Sequence, residues 1–120
     1  MIFLIILSLS MAFASEQTIK CGPGKLRLNS HGKVTEEKSV YCYNQDKTEL
    51  YSKDFQLEKL KKIKIYESES ANPGFALCTA LKGEPQFVEF KAEDQWYKLD
   101  RCLFTDDTYI DTGLLYLRTR

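Results

Sequence analysis

Four cysteines, Cys21, Cys42, Cys78 and Cys102, constrain this chain more than any other feature. Their number is even, and no two lie at the close C-x2-4-C spacing that zinc knuckles use. Whether they are oxidised depends on compartment, and the amino terminus bears on that. Residues 1–14, MIFLIILSLSMAFA, hold no charged side chain and finish on an A-x-A-like site at Ala12 and Ala14. The apolar run is shorter than the roughly 20 residues that span a bilayer, and polar SEQT follows it. This is the pattern of a secretory signal peptide cleaved after Ala14. The expected location is periplasmic or secreted, where an even set of cysteines forms disulfides. Of the three possible pairings, Cys21–Cys42 and Cys78–Cys102 are favoured, because each brackets one run of strand-like sequence. Closing a loop of about 20 residues stabilises by about 3 kcal/mol in the chain-entropy account. Oxidised sulfur is not a nucleophile, so no catalytic cysteine is expected.

Charge excludes one class of partner. Lys plus Arg number 17 and Asp plus Glu number 17, and none of them lies in the first 14 residues. A nucleic-acid binder would carry a basic surplus, so no nucleic-acid partner is expected. No second long apolar run exists, so no membrane span is expected after leader cleavage.

The rest of the chain reads as two lobes, 15–66 and 70–120. In the first, Leu26 and Leu28 alternate with Lys25, Arg27 and Asn29, and NSHGK supplies a turn with Gly32 able to take positive φ. Val40 and Cys42 share one strand face, Tyr41 and Tyr43 the other, and Leu50 and Tyr51 mark a third strand. The expectation is a three-stranded antiparallel meander. KDFQLEKLKKIKIYE follows as a short helix passing into a strand, and polar ESESAN marks the boundary.

The second lobe opens on Asn72-Pro73-Gly74. Asn72 suits a helix N-cap and Pro73 the first helical position, so a short helix should carry Cys78 inward. Gly83 is expected to take the left-handed cap, and Pro85 to block continuation. QFVEFKA places Phe87 and Glu89 on one face and Val88 and Phe90 on the other, which suggests a largely buried strand. WYKLDRCLF returns as a strand, TDDTYID turns into a short strand at Thr108–Ile110, and Asp111 or Thr112 caps a last helix in TGLLYLR. The expected fold class is therefore α+β: small disulfide-stapled antiparallel β-sheets with two or three short helices.

Residues 70–120 resemble a small exported bacterial domain of unknown function that carries a "hemolysin" label. The resembling residues are Ala71-Asn72-Pro73, Cys78, Gly83, Cys102, the acidic turn Asp106-Asp107, and Ile110-Asp111 before a terminal apolar helix ending at Arg118. The resemblance implies a Cys78–Cys102 bridge and no established chemistry. The chain departs from it at Gly74, Leu77 and Glu84, and at Gly113, where a tryptophan is usual. Lysis is not expected: a pore former needs membrane-crossing strands or a sizeable amphipathic helix.

Catalytic constellations are sparse. His31 is the only histidine and lies in a turn, where a solvated side chain is expected rather than the cleft-held imidazole of a Ser-His-Asp triad. Glu36-Glu37, Glu93-Asp94 and Asp106-Asp107 are adjacent pairs, whose side chains point apart on strands. DDTYID lacks the glycine and closing glutamate of an EF-hand, and CGPGK is too short for a phosphate loop. No cofactor and no metal is expected. The candidate binding residues are Tyr41 and Tyr43, which with Tyr51 form an aromatic sheet face that serves equally well as cover for a small core, and the basic cluster Lys59, Lys61, Lys62 and Lys64, which competes with a simple solvated face. The expected function is a non-catalytic exported module that binds another envelope or extracellular protein or a glycan. The alternatives are a small secreted hydrolase and a disulfide-stapled protease inhibitor.

Overall fold

The computed structural model describes residues 18–62 and 72–119. The expected leader, the strand expected at Ile63–Tyr66, Lys64 and the polar stretch 67–71 lie outside them. The chain runs β1 (Ile19–Ser30), β2 (Lys33–Asn44), β3 (Leu50–Ser52), a 3-10 helix (Leu57–Lys62), α1 (Pro73–Ala80), β4 (Glu84–Ala92), β5 (Gln95–Leu103), β6 (Tyr109–Asp111) and α2 (Thr112–Arg118).

Local signals account for most of this. His31 and Gly32, with φ of 54° and 80°, turn β1 into β2, and Glu93 and Asp94, at 53° and 67°, turn β4 into β5. Paired positive φ values match the right-handed twist of hairpin strands. The Asn72 carboxamide accepts from the Phe75 N–H at 3.1 Å, capping α1 with Pro73 at its start. Asp111 does the same for α2, accepting from the Leu114 N–H at 2.8 Å. One terminus departs from expectation. The left-handed residue after α1 is Lys82 (φ 68°), not Gly83. Gly83 is needed for space instead: a Cβ there would collide with the Cys102 and Cys78 sulfurs.

The α+β expectation of separate small sheets is overturned. The six strands of the described residues form one closed antiparallel barrel in the order β1-β2-β3-β6-β5-β4. Each half supplies a meander with two open edges, and the edges satisfy one another. Leu26, Arg27 and Leu28 of β1 pair with Phe90, Glu89 and Val88 of β4, and Tyr51 of β3 pairs with Ile110 of β6. Where the strands pair, closure covers edges that would otherwise invite aggregation.

The register has two-fold pseudosymmetry. Cys42 lies between Cys21 on β1 and Tyr51 on β3, while Cys102 lies between Pro85 on β4 and Ile110 on β6. At both closures a residue pairs with its own counterpart, Leu26 with Phe90 and Tyr51 with Ile110. The sequence carries the same repeat as Cys-x-x-x-Asp-x-Thr, at Cys42–Thr48 and Cys102–Thr108. Both copies make the same turn: the Lys47 N–H donates to Asn44 O (3.1 Å), the Asp107 N–H to Phe104 O (3.0 Å), and Lys47 and Asp107 both have positive φ.

Strand alternation divides the apolar residues into two cores. Inside the barrel lie Leu26, Tyr41, Leu50, Phe90, Ala92 and Tyr109. Outside it, α1 packs on β4 and α2, α2 on β5 and β6, and the 3-10 helix on α2, enclosing Leu60, Leu77, Cys78, Cys102, Ile110, Leu114 and Leu115. Both favoured disulfides are present, Cys21–Cys42 and Cys78–Cys102. Such bridges belong in an oxidising compartment.

Polar groups in the barrel are matched. The Tyr41 hydroxyl donates to Lys91 O at 2.7 Å and accepts the Lys25 N–H at 3.1 Å. Arg101, 2% exposed, donates from Nε to Gln86 at 2.9 Å, approaches Glu37 at 3.5 Å and lies 4.9 Å from the Tyr109 ring centroid. Burial pushes the Tyr109 phenol up to about 12 despite a 2.6 Å hydrogen bond with Ser39. Gly24 makes room for this arrangement, because a Cβ there would overlap the Tyr41 ring and hydroxyl. Gly24→Ala is therefore expected to destabilise by about 1–3 kcal/mol, as overpacking does. Urea unfolding measures it, and an unchanged midpoint would show that Tyr41 is free to move.

A candidate binding cavity on the uncovered sheet face

Residues paired across antiparallel strands share a face. Arg27 pairs with Glu89 and Glu89 with Lys98; Phe87 pairs with Asp100, and Asn29 with Val34. These seven residues therefore lie on the outer face, opposite Leu26, Leu28, Val88 and Phe90. The helices cover the neighbouring part of that face and stop at its border, where Phe75 of α1 meets Phe87 with ring centroids 5.6 Å apart. Beyond Leu28 and Val88 the β1–β2 hairpin parts from β4. A cavity of about 650 Å³ lies at this divergence, lined by the seven residues over a floor of Leu28, Val88 and Leu99. That volume falls in the usual range for ligand sites, about 300–1,000 Å³.

Two apolar side chains stand open at the cavity, Val34 at 58% exposure and Phe87 at 70%. The exposure of Phe87 corrects the expectation of a largely buried strand: one face of β4 enters the barrel core, and the helical cover ends beside the other. The charges divide into engaged and free. Arg27 donates to Glu89 from Nε at 3.0 Å and lies 2.8 Å from it through its terminal nitrogen, with its guanidinium 3.8 Å from the Trp96 ring centroid. Its charge and its flat face are thus both occupied. The Asp100 carboxylate has no hydrogen bond or ion pair among the described residues, and burial raises its pKa above the ordinary carboxylate value. Lys98, two residues earlier on the same face, is exposed.

Strand addition suits this region poorly. Pro85 sits on the part of β4 beyond its pairing with β1 and has no N–H to offer an incoming strand. Along Lys33–Ser39, where β2 pairs with β1 alone, Glu36, Glu37 and Lys38 guard the other edge. The cavity offers side chains rather than backbone.

The residues expected from sequence to bind are dispersed. Tyr41 is 2% exposed within the barrel, and half-buried Tyr43 packs on Phe90 at 5.6 Å. Lys59 and Lys61 are exposed on the 3-10 helix, Lys59 beside a separate depression with Phe104 and Asp106. The side chain of Lys62 and all of Lys64 lie outside the described residues. His31 is exposed at its hairpin tip. Glu93 is held by Lys47 at 2.8 Å and Lys20 at 3.2 Å, which lowers its pKa. Asp106 accepts from Thr108 Oγ1 and the Thr108 N–H, which lowers its pKa too. Among the described residues no group of three or more His, Cys, Asp or Glu is arranged to hold a metal ion. No described helix is long and apolar enough to cross a membrane. Sequence reasoning missed Arg27, Phe87, Lys98 and Asp100, although Phe87 opposite Val88 and Phe90 was a signal that one apolar face needed a partner.

Comparisons with known proteins return no matching family model, no matching curated protein and no matching solved structure.

Proposed function

We propose that this protein is a non-catalytic exported binding module, acting in the periplasm or outside the cell, and that the uncovered outer face of β1, β4 and β5 receives another envelope or extracellular protein. The observation that carries this reading is the cavity beside Phe87. It combines exposed apolar side chains with fixed charges, the mixture of anchors and polar rim found at protein interfaces. Its walls are the continuous antiparallel β1–β2 and β4–β5 ladders, which limits the ordering cost of association.

Titrating the oxidised protein with capped pentapeptides of varied central residue, followed by amide shifts in NMR, tests this. Shifts are expected at Val34, Phe87, Lys98 and Asp100. Phe87→Ser should weaken binding about tenfold, in line with loss of an interface anchor, while the thermal midpoint stays close to that of the parent. Shifts confined to other surfaces, or none with any peptide, would remove this face as the site.

A further inference from the structure

The binding face as proposed leaves its partner chemistry open, and the charges around the cavity narrow it. Arg27 and Glu89 neutralise one another, and the Arg27 plane lies on Trp96. Lys98 faces Glu89 in register and stands exposed at the rim. Asp100 is different. It is half-buried, faces the exposed ring of Phe87 across the β4–β5 ladder, and holds no cation. A partly desolvated carboxylate without a partner is unfavourable for folding, so its position beside an open aromatic ring calls for a ligand cation. Such a ring also attracts cations over its face, and long basic side chains lay an apolar stem along apolar surface while their charged head finds a partner.

We infer that the cavity takes a lysine or arginine side chain of a partner protein, its cation set against Asp100 and its alkyl stem against Phe87 and Val34. The inference rests on the binding-face reading above. It assigns Asp100 as the specificity-determining residue. It gives Lys98 the opposite role, as a nearby cation that weakens the attraction. Burial raises the pKa of Asp100 in the free protein, and an arriving cation reverses that effect by stabilising the carboxylate. Binding of a basic side chain should therefore weaken as the carboxylate protonates, and weaken with added salt, because the cavity is open to solvent.

Capped pentapeptides identical except for a central lysine, arginine, norleucine or glutamate separate the possibilities. Norleucine keeps the alkyl stem and drops the charge. With the parent protein, lysine and arginine peptides should bind about tenfold more tightly than the norleucine peptide, the effect of one charge-assisted contact. Asp100→Asn should erase that preference. Lys98→Met should enlarge it. Asp100→Asn should also have a thermal midpoint at least equal to the parent's at pH 7.5, because the carboxylate it removes is poorly solvated. A residue that served only structure would lower the midpoint when replaced. Equal binding of all four peptides at Phe87 and Val34 would overturn the basic anchor and leave the binding face standing, as would tightest binding by the glutamate peptide. Failure of every peptide to shift these amides would overturn both. Shifts there from a neutral oligosaccharide alone would assign the face to a glycan and likewise overturn the inference.

Discussion

Replacing Cys78 and Cys102 together by alanine is expected to cost about 3–5 kcal/mol of folding stability, and more than the same change at Cys21 and Cys42. The two bridges span sequence separations of 24 and 21 residues. Loop entropy grows slowly with length, so both contribute about 3 kcal/mol by that route. The difference comes from where the sulfurs sit. Cys78 and Cys102 are both 0% exposed, in one cluster with Leu77, Ile110 and Leu115, and their truncation leaves a cavity. Gly83 lies against both sulfurs, so that site is shaped around the bridge. This bridge also ties α1 to the barrel. Cys21 is exposed, Cys42 is 3% exposed but belongs to neither core cluster, and their bridge joins strands already paired residue for residue from Ile19 to Ser30. Its loss removes a constraint from the unfolded chain and little packing from the folded one. Denaturant unfolding of the two double variants measures the comparison. Equal losses would show that chain entropy alone sets the value of each bridge.

What could be read from the sequence follows the range of the interactions. The His31-Gly32 turn, the Asn72 and Asp111 caps and the two disulfides all rest on nearby residues or on strands bracketed by cysteines, and each was legible. The barrel was not, because its closures join Leu26 to Phe90 and Tyr51 to Ile110 across the middle of the chain. Those pairs have no local signature. The nearest thing to one is the repeated Cys-x-x-x-Asp-x-Thr, which aligns Cys42 with Cys102 and predicts that the two meanders are counterparts. Its aspartates lie in turns of common composition, which masks the symmetry. The site was hidden for a related reason. Arg27 and Glu89 belong to different halves, and nothing along the chain says that they meet at 2.8 Å. Tyr41 and Tyr43 read equally well as a surface or as cover for a core, because their alternation identifies a face without saying which side of a closed barrel it takes. The glycine that accommodates the Tyr41 ring, Gly24, lies on the neighbouring strand.

The protein should be more stable near pH 5 than near pH 7.5, and Asp111 is the main reason. Its carboxylate ties β3 to α2, accepting the Leu50 N–H at 2.7 Å and the Leu114 N–H at 2.8 Å while only 3% exposed. Burial outweighs those two hydrogen bonds and raises its pKa from 3.8 to about 6. The folded state therefore binds a proton more readily than the unfolded chain, and stability falls with rising pH wherever the folded state holds more protons. The contribution is complete below the unfolded value, declines from about pH 4 to 6, and is lost above the folded pKa. A rise from 3.8 to about 6 corresponds to about 3 kcal/mol. Asp100, also raised by burial, acts in the same direction. Glu93 and Asp106 act in the opposite direction, since Lys47 and Thr108 lower their pKa values. Their contributions fade only as pH falls towards and through those lowered values, below the window in which Asp111 titrates. Chemical denaturation at both pH values gives the test, with Asp111→Asn as the comparison. Asparagine offers one acceptor oxygen where two N–H groups need one each, so the variant should be weaker at pH 5 by about 1–2 kcal/mol. Its loss of stability between pH 5 and 7.5 should nevertheless be smaller than the parent's. A parent protein that gains stability over that interval, or a variant that keeps the full slope, would place the titration elsewhere and leave Asp111 as a simple cap.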